Sequence, residues 1–178
     1  MKSIKHYFNI ALFLIAIPAQ AQKIDSEKSV VNFSLSNLGF NTVEGTFKGL
    51  KGDVYIDDQN LAESSIKACL KVSTVNTGNS TRDEHLLKDE FFATETYPQI
   101  CFSSSSFSKT AEGYLVKGLL SIRGISKEVS IPFELKNREF IGHFSINRLD
   151  FKVGEEYNTF TIGNEVELEI TCIGSKPF

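Results

Sequence analysis

Val31-Asn32-Phe33-Ser34-Leu35-Ser36 sets an apolar side chain at every second position and a polar one between. That period belongs to a strand with one face on a core and the other in water, because successive side chains of an extended backbone point to opposite sides. The pattern continues outward from this stretch. Val43, Gly45 and Phe47 carry it on after a turn. Val54 and Ile56 resume it beyond Gly49 to Gly52, where the glycines predict a bend or bulge in one long strand. Ile66, Ala68, Leu70 and Val72 follow, interleaved with Lys67, Cys69 and Lys71. Later runs are Ile100 and Phe102; Tyr114, Val116, Leu120 and Ile122; Val129, Ile131, Phe133 and Leu135; Phe140, Phe144 and Ile146; and Val166, Leu168 and Ile170. These make about eight strands. Links such as Glu112-Gly113, Arg123-Gly124 and Asn137-Arg138 suit a meander of hairpins. The expected fold is all-β, an eight-stranded antiparallel barrel, since closure removes exposed sheet edges. Such an interior is either filled by side chains or holds one ligand.

One segment, Ser80 to Glu90, lacks alternation. It predicts one short helix over about residues 80–90, with Ser80 as N-cap and Asp83 and Glu84 in the first turn, where the helix dipole favours acids. Leu86 and Leu87, with Phe91 and Phe92 just beyond, give it an apolar side suited to the mouth or base of the barrel. Pro98 starts the next strand.

At the N-terminus, Lys2 and Lys5 precede an apolar run from Tyr7 to Ile17, then Pro18 and Ala19-Gln20-Ala21. This reads as a signal peptide of residues 1–21, its apolar core too short for the roughly 20 residues of a membrane-spanning helix. The mature chain is expected to start at Gln22, to form one domain over 22–178 with no integral membrane span, and to be periplasmic or secreted. It carries 17 basic side chains against 22 acidic ones, dispersed, which excludes the basic stripe that nucleic acid requires. His85 and His143 stand apart from any cysteine cluster, so no metal site and no cofactor are expected.

Three cysteines, Cys69, Cys101 and Cys172, leave at least one thiol unpaired in a monomer. Strand phase turns Cys69 and Cys101 away from the core and Cys172 towards it. The strands of the first two are consecutive, and in a directly opposed register their β-carbons would lie about 4.5 to 5.5 Å apart, near disulfide range. A Cys69–Cys101 bridge and three free thiols both remain open.

Thr77-Gly78-Asn79, Arg82-Asp83, His85-Leu86, Phe91-Phe92 and Tyr97-Pro98-Gln99-Ile100-Cys101-Phe102 together resemble the signature of the YceI-like lipid-binding family. Leu38-Gly39-Phe40, Val43 to Phe47, Gly118 to Gly124, Ile146 to Phe151 and Ile162 to Val166 extend the resemblance in order along the chain. The loop Lys152 to Asn158 is shorter than in many members of that family, and Cys101 stands where a polar residue is commoner. The resemblance implies a lipocalin-like barrel, usually exported, holding a polyisoprenoid, an isoprenoid quinone-like molecule or a fatty-acid derivative in an elongated cavity.

Such a cavity needs apolar walls, because a lipid tail cannot offset the desolvation of unpaired polar groups. Phe33, Leu35, Phe47, Leu70, Ile100, Phe102, Leu120, Ile122, Phe133, Phe144 and Ile146 fall on the apolar phase of their strands and are the candidate tail-binding residues, joined by Leu86, Phe91 and Phe92 from the helical segment. Arg82, Asp83 and His85 either tie the helix to the barrel or meet a ligand head group. Arg148 continues the inward phase of Phe144 and Ile146, so it is expected to meet an anion: Asp83, Asp150 or a ligand oxygen. No nucleophile elbow or second carboxylate cluster accompanies these groups, so catalysis is not expected. Three readings compete: a lipid carrier, an enzyme of lipid or quinone metabolism using the same cavity, and a ligand-free structural or interaction barrel. The sequence leaves open whether the chain forms a homodimer.

Overall fold

The computed structural model describes residues 21–136 and 139–174. The expected leader, apart from Ala21, and the Asn137-Arg138 turn lie outside the described residues. The strands are β1 (Gln22–Lys23), β2 (Val30–Asn37), β3 (Asn41–Lys48), β4 (Lys51–Tyr55), β5 (Ser65–Lys71), β6 (Gln99–Lys109), β7 (Gly113–Ile122), β8 (Ile125–Lys136), β9 (Glu139–Asn147) and β10 (Glu165–Ile173), with one short helix, α1 (Ser80–Leu86).

These strands form one strongly curled antiparallel sheet, a half-barrel, in the order β1-β4-β5-β6-β7-β8-β9-β10-β2-β3. There are therefore ten strands among the described residues, against an expectation of eight. Two causes account for the difference. β1 is two residues long, too short to show a period. The stretch from Val43 to Ile56, expected as one long strand, is two: Gly49 takes a left-handed φ of 75° and breaks the ladder. β3 on one side of that break pairs with β2, whereas β4 on the other pairs with β1 and β5. From β4 to β10 the sheet is a meander of sequence neighbours, and the β2–β3 hairpin adds beyond β10, setting Leu168 opposite Phe33. Thr46 and Asn76 exchange backbone hydrogen bonds of 2.9 and 3.0 Å, linking β3 to the segment after β5.

The core lies on the concave face, where Val54, Val116, Ile131 and Phe140 are almost fully buried. Leu120, Ile122 and Phe151 make a second buried cluster. Buried Tyr114 donates from its hydroxyl to Asp58 Oδ1 at 2.7 Å, so its one polar atom is satisfied.

α1 starts one residue earlier in its capping than expected. Asn79, not Ser80, is the N-cap, its Oδ1 accepting from the Arg82 backbone N–H at 3.1 Å. Ser80 is already helical, in keeping with the similar strength of both residue types as caps. The helix also ends at Leu86, short of the expected Glu90, and the chain continues in turns to Tyr97. Those turns bring Phe91 and Phe92 under the sheet: Phe92 N–H donates to Leu86 O at 3.1 Å, and the Phe92 ring meets Phe47 edge-on at 5.9 Å.

Candidate ligand-binding cavity

The curl encloses a cavity of about 350 Å³. Its wall takes Phe33 and Leu35 from β2, Phe47 from β3, Leu70 from β5, and Ile100 and Phe102 from β6. Leu120 and Ile122 come from β7, Phe133 from β8, and Phe144 and Ile146 from β9. Leu86 of α1, with Phe91 and Phe92 from the turns after it, completes the set. Every apolar candidate from the sequence thus lies on one wall, because the curl turns the same phase of each strand inward. The volume falls within the range of small-molecule sites, roughly 300 to 1,000 Å³.

Several lining residues were not singled out from sequence. Val31, Val166, Leu168 and Ile170 lie on the wall, and their alternation was the available signal. Tyr157, Thr161 and Ile162 come from the loop between Phe151 and β10, which has no period to read. Glycines form a further layer. A β-carbon on Gly118 would sit 2.6 Å from the Phe102 ring, and one on Gly142 would sit 2.7 Å from the Phe133 ring. Gly45 lies directly opposite Phe33, whose ring covers it. Each of these phenylalanine rings reaches over a position on a neighbouring strand where a side chain is missing, so part of the ring packs against the wall there.

The polar groups divide into those that hold the frame and those that reach the cavity. Asp83 Oδ1 accepts from Thr77 N–H at 2.9 Å and from Thr77 Oγ1 at 2.6 Å. Arg82 Nε donates to the same Oγ1 at 2.8 Å and its Nη2 to Thr77 O at 2.9 Å. The two residues thus knot the Thr77-Gly78-Asn79 turn to α1. Arg82 also borders the cavity, while Asp83 is not among its lining residues. His85 Nε2 lies 2.8 Å from Glu90 Oε1 and 3.5 Å from the Tyr157 hydroxyl, and both His85 and Tyr157 border the cavity. The Glu90 backbone N–H, and after it His85, hold the Glu90 carboxyl below the usual carboxylate range.

Arg148 points inward, as its phase predicts, and is 3% exposed. The anion expected beside it is replaced by main-chain oxygens. Nε donates to Gly163 O, Nη1 to Val153 O and Gly154 O, and Nη2 to Tyr157 O and Ile162 O, at 2.5 to 3.1 Å. A guanidinium has five N–H groups, and here five carbonyls take them. Carbonyl dipoles can satisfy a buried cation's donors without a counter-charge, a solution that residue phase cannot reveal. Desolvation lowers the Arg148 pKa. The effect is to fasten the loop from Lys152 to Asn164 over one end of the cavity.

Cys69 and Cys101 are directly opposed in the β5–β6 register and joined by a disulfide, with Cα atoms 4.1 Å apart. Cys172 is a buried free thiol on the cavity wall. Among the described residues, no group of three or more His, Cys, Asp or Glu side chains could hold a metal ion.

A family model for the YceI-like domain matches residues 22–173. The chain belongs to the YceI-like family. It is 36% identical over 129 residues to a UPF0312 protein of Photorhabdus laumondii, covering 70% of this chain and 67% of that one. Against protein YceI of Escherichia coli O157:H7 it is 33% identical over 115 residues, 64% of this chain and 60% of that protein, so the aligned part spans under two thirds of the latter. Among solved structures, BcnA of Burkholderia cenocepacia superposes with a TM-score of 0.78 at 26% identity, covering 84% of this chain and 98% of that one. A polyisoprenoid-binding domain from Saccharophagus degradans, implicated in plant cell wall breakdown, shares the fold at a TM-score of 0.68 and 17% identity, over 88% of this chain and 99% of that domain.

Proposed function

We propose that this YceI-like chain is an exported lipid-binding protein, periplasmic or secreted, whose sheet acts as a lipocalin-like barrel around one polyisoprenoid, isoprenoid quinone-like or fatty-acid-derived ligand. Its task is transport, storage or sequestration. The observation that carries this reading is the wall itself: one cavity of about 350 Å³ lined by apolar side chains from β2 to β10. Burying an isoprenoid there gains about 25 cal/mol for each Å² of apolar surface removed from water, with few polar atoms to desolvate. The likeness to a domain described as polyisoprenoid-binding supports the same ligand class. Binding is favoured over catalysis by the make-up of the wall, which is almost wholly apolar, and by Asp83, which lies outside the lining and is held by Thr77.

Native mass spectrometry of freshly purified protein, followed by titration with a long-chain isoprenol, tests the reading. Co-purifying lipid or isoprenol uptake is expected, and a folded Phe102→Asp variant should lose the probe, since it sets an unpaired carboxylate on the wall. Conversion of the lipid would favour an enzyme. A compact protein that neither carries nor takes up lipid would favour a structural barrel.

A further inference from the structure

At one end of the cavity two loops are joined through their backbones. Leu38 N–H and Asn37 Nδ2 both donate to Thr161 O, at 3.2 and 2.8 Å, and Gly163 N–H donates to Ser36 O at 2.8 Å. Gly39 at the tip of the β2–β3 turn is covered by the Phe160 ring, and a β-carbon there would lie 2.8 Å from Phe160 Cε2. Asn158 Oδ1 accepts from the Phe160 and Thr161 backbone N–H groups, and Arg148 pins the same loop from inside.

These rigidly held tips present apolar side chains to solvent. Phe40 is 79% exposed, Phe160 64% and Leu38 41%. Nothing in the local geometry turns them inward, although Asn37, Thr161 and Ile162 beside them line the cavity. Both tips are also uncharged, through Leu38-Gly39-Phe40-Asn41-Thr42-Val43 and Tyr157-Asn158-Thr159-Phe160-Thr161-Ile162-Gly163-Asn164, in a chain where 41 of 178 residues are charged. Exposed aromatics with Asn and Thr between them suit the headgroup level of a neutral bilayer, where an aromatic ring leaves water and polar neighbours keep their hydrogen bonds.

We propose that Leu38, Phe40 and Phe160 form a docking surface for the face of a phospholipid bilayer with zwitterionic headgroups, through which a membrane-resident lipid reaches the cavity. The proposal rests on the cavity being a lipid site. Adjacency of patch and cavity favours a bilayer over a protein partner: Asn37, Thr161 and Ile162, beside Leu38 and Phe160 in the chain, line the cavity, so docking through the patch sets that end of the cavity against the membrane.

The test compares wild type with Phe40→Ser and with Phe40→Ser/Phe160→Ser in flotation on phosphatidylcholine vesicles, and separately in uptake of a long-chain isoprenol from vesicles and from a cyclodextrin carrier. Both side chains are exposed, so the variants should melt with the wild type, and Phe40→Ser alone leaves the Phe160–Gly39 contact in place. Wild type should float at low and high salt alike, and the double variant should partition roughly tenfold more weakly. It should lose uptake from vesicles while keeping uptake from cyclodextrin. Equal flotation of wild type and variants overturns the proposal, as does flotation that requires phosphatidylglycerol and vanishes in salt. Self-association that disappears in the variants, without vesicle binding by wild type, assigns the patch to a second copy of the chain instead. Failure of both proteins to load from cyclodextrin counts against the cavity as a lipid site, and flotation then still reports on docking by itself.

Discussion

Arg148 holds five carbonyl oxygens of one loop, from Val153, Gly154, Tyr157, Ile162 and Gly163. Replacing it by Met leaves those oxygens without their donors in a buried place, and the expected loss is about 3 to 5 kcal/mol in urea unfolding. Arg148→Lys should recover little, because an ammonium has three donors and no planar fork. Since no guanidinium N–H is left over, a ligand with a polar head should lose no more affinity than a plain hydrocarbon when Arg148 is truncated. A selective loss for polar-headed ligands would show that a donor does face the cavity. Cys172 makes a second case at this scale, its thiol pushed by burial up to about 12 from an ordinary 9.0. The unfolded chain ionises first, so this contribution to stability is complete below about pH 9 and is lost as pH rises towards 12. Cys172→Ala should flatten the alkaline limb of the stability curve in that window, measured by urea midpoints from pH 8 upward. An unchanged limb would mean that the thiol is not buried. Phase alone showed that Arg148 and Cys172 point inward. It could not show what meets Arg148, because the partners are main-chain atoms of a loop without a pattern.

At the scale of elements, the disulfide fastens β5 to β6 across the excursion that contains α1, closing a sequence separation of 32 residues. Chain-entropy reasoning puts its contribution at about 3 to 4 kcal/mol for such a loop. Cys69→Ser/Cys101→Ser should therefore lower the urea midpoint of the protein beginning at Gln22, and reductant should shift the wild type alone to the same value. Thiol counting on the denatured, unreduced protein should give one free thiol, mapping to Cys172; three free thiols would remove the bridge. A shared outward phase on consecutive strands made this pair a candidate in the sequence, and only the register, which sets Cys69 opposite Cys101, decides it. The break at Gly49 was harder to read, because a glycine within an alternating run fits a bulge in one strand as well as an end between two. Only the pairing partners of β3 and β4 distinguish those cases. The cap of α1 was misplaced for a similar reason: Asn79 and Ser80 are adjacent and of like capping strength, and φ/ψ decides between them.

At the scale of the molecule, alternation tells which side chains face the centre but leaves open whether the centre is full. Part of what keeps it open is relational: Phe33 reaches over Gly45 and Phe133 over Gly142, part of each ring packing into a gap in the neighbouring strand. The sequence shows those glycines without showing which ring covers which, so the set of wall residues was readable and the hollow was not. A hollow interior and a packed one respond oppositely to added volume. Leu168 lies on the wall with Phe33 and Phe144 opposite it on the flanking strands. In a packed core Leu168→Phe would overfill the site, at a cost of about 1 to 3 kcal/mol. Here the larger ring has space in the cavity, so stability should change by less than about 1 kcal/mol while isoprenol affinity falls roughly tenfold or more. Urea unfolding and probe titration on the same preparation separate the two cases: a large loss of stability would mean that the interior is already full, and unchanged affinity would move the ligand away from this wall.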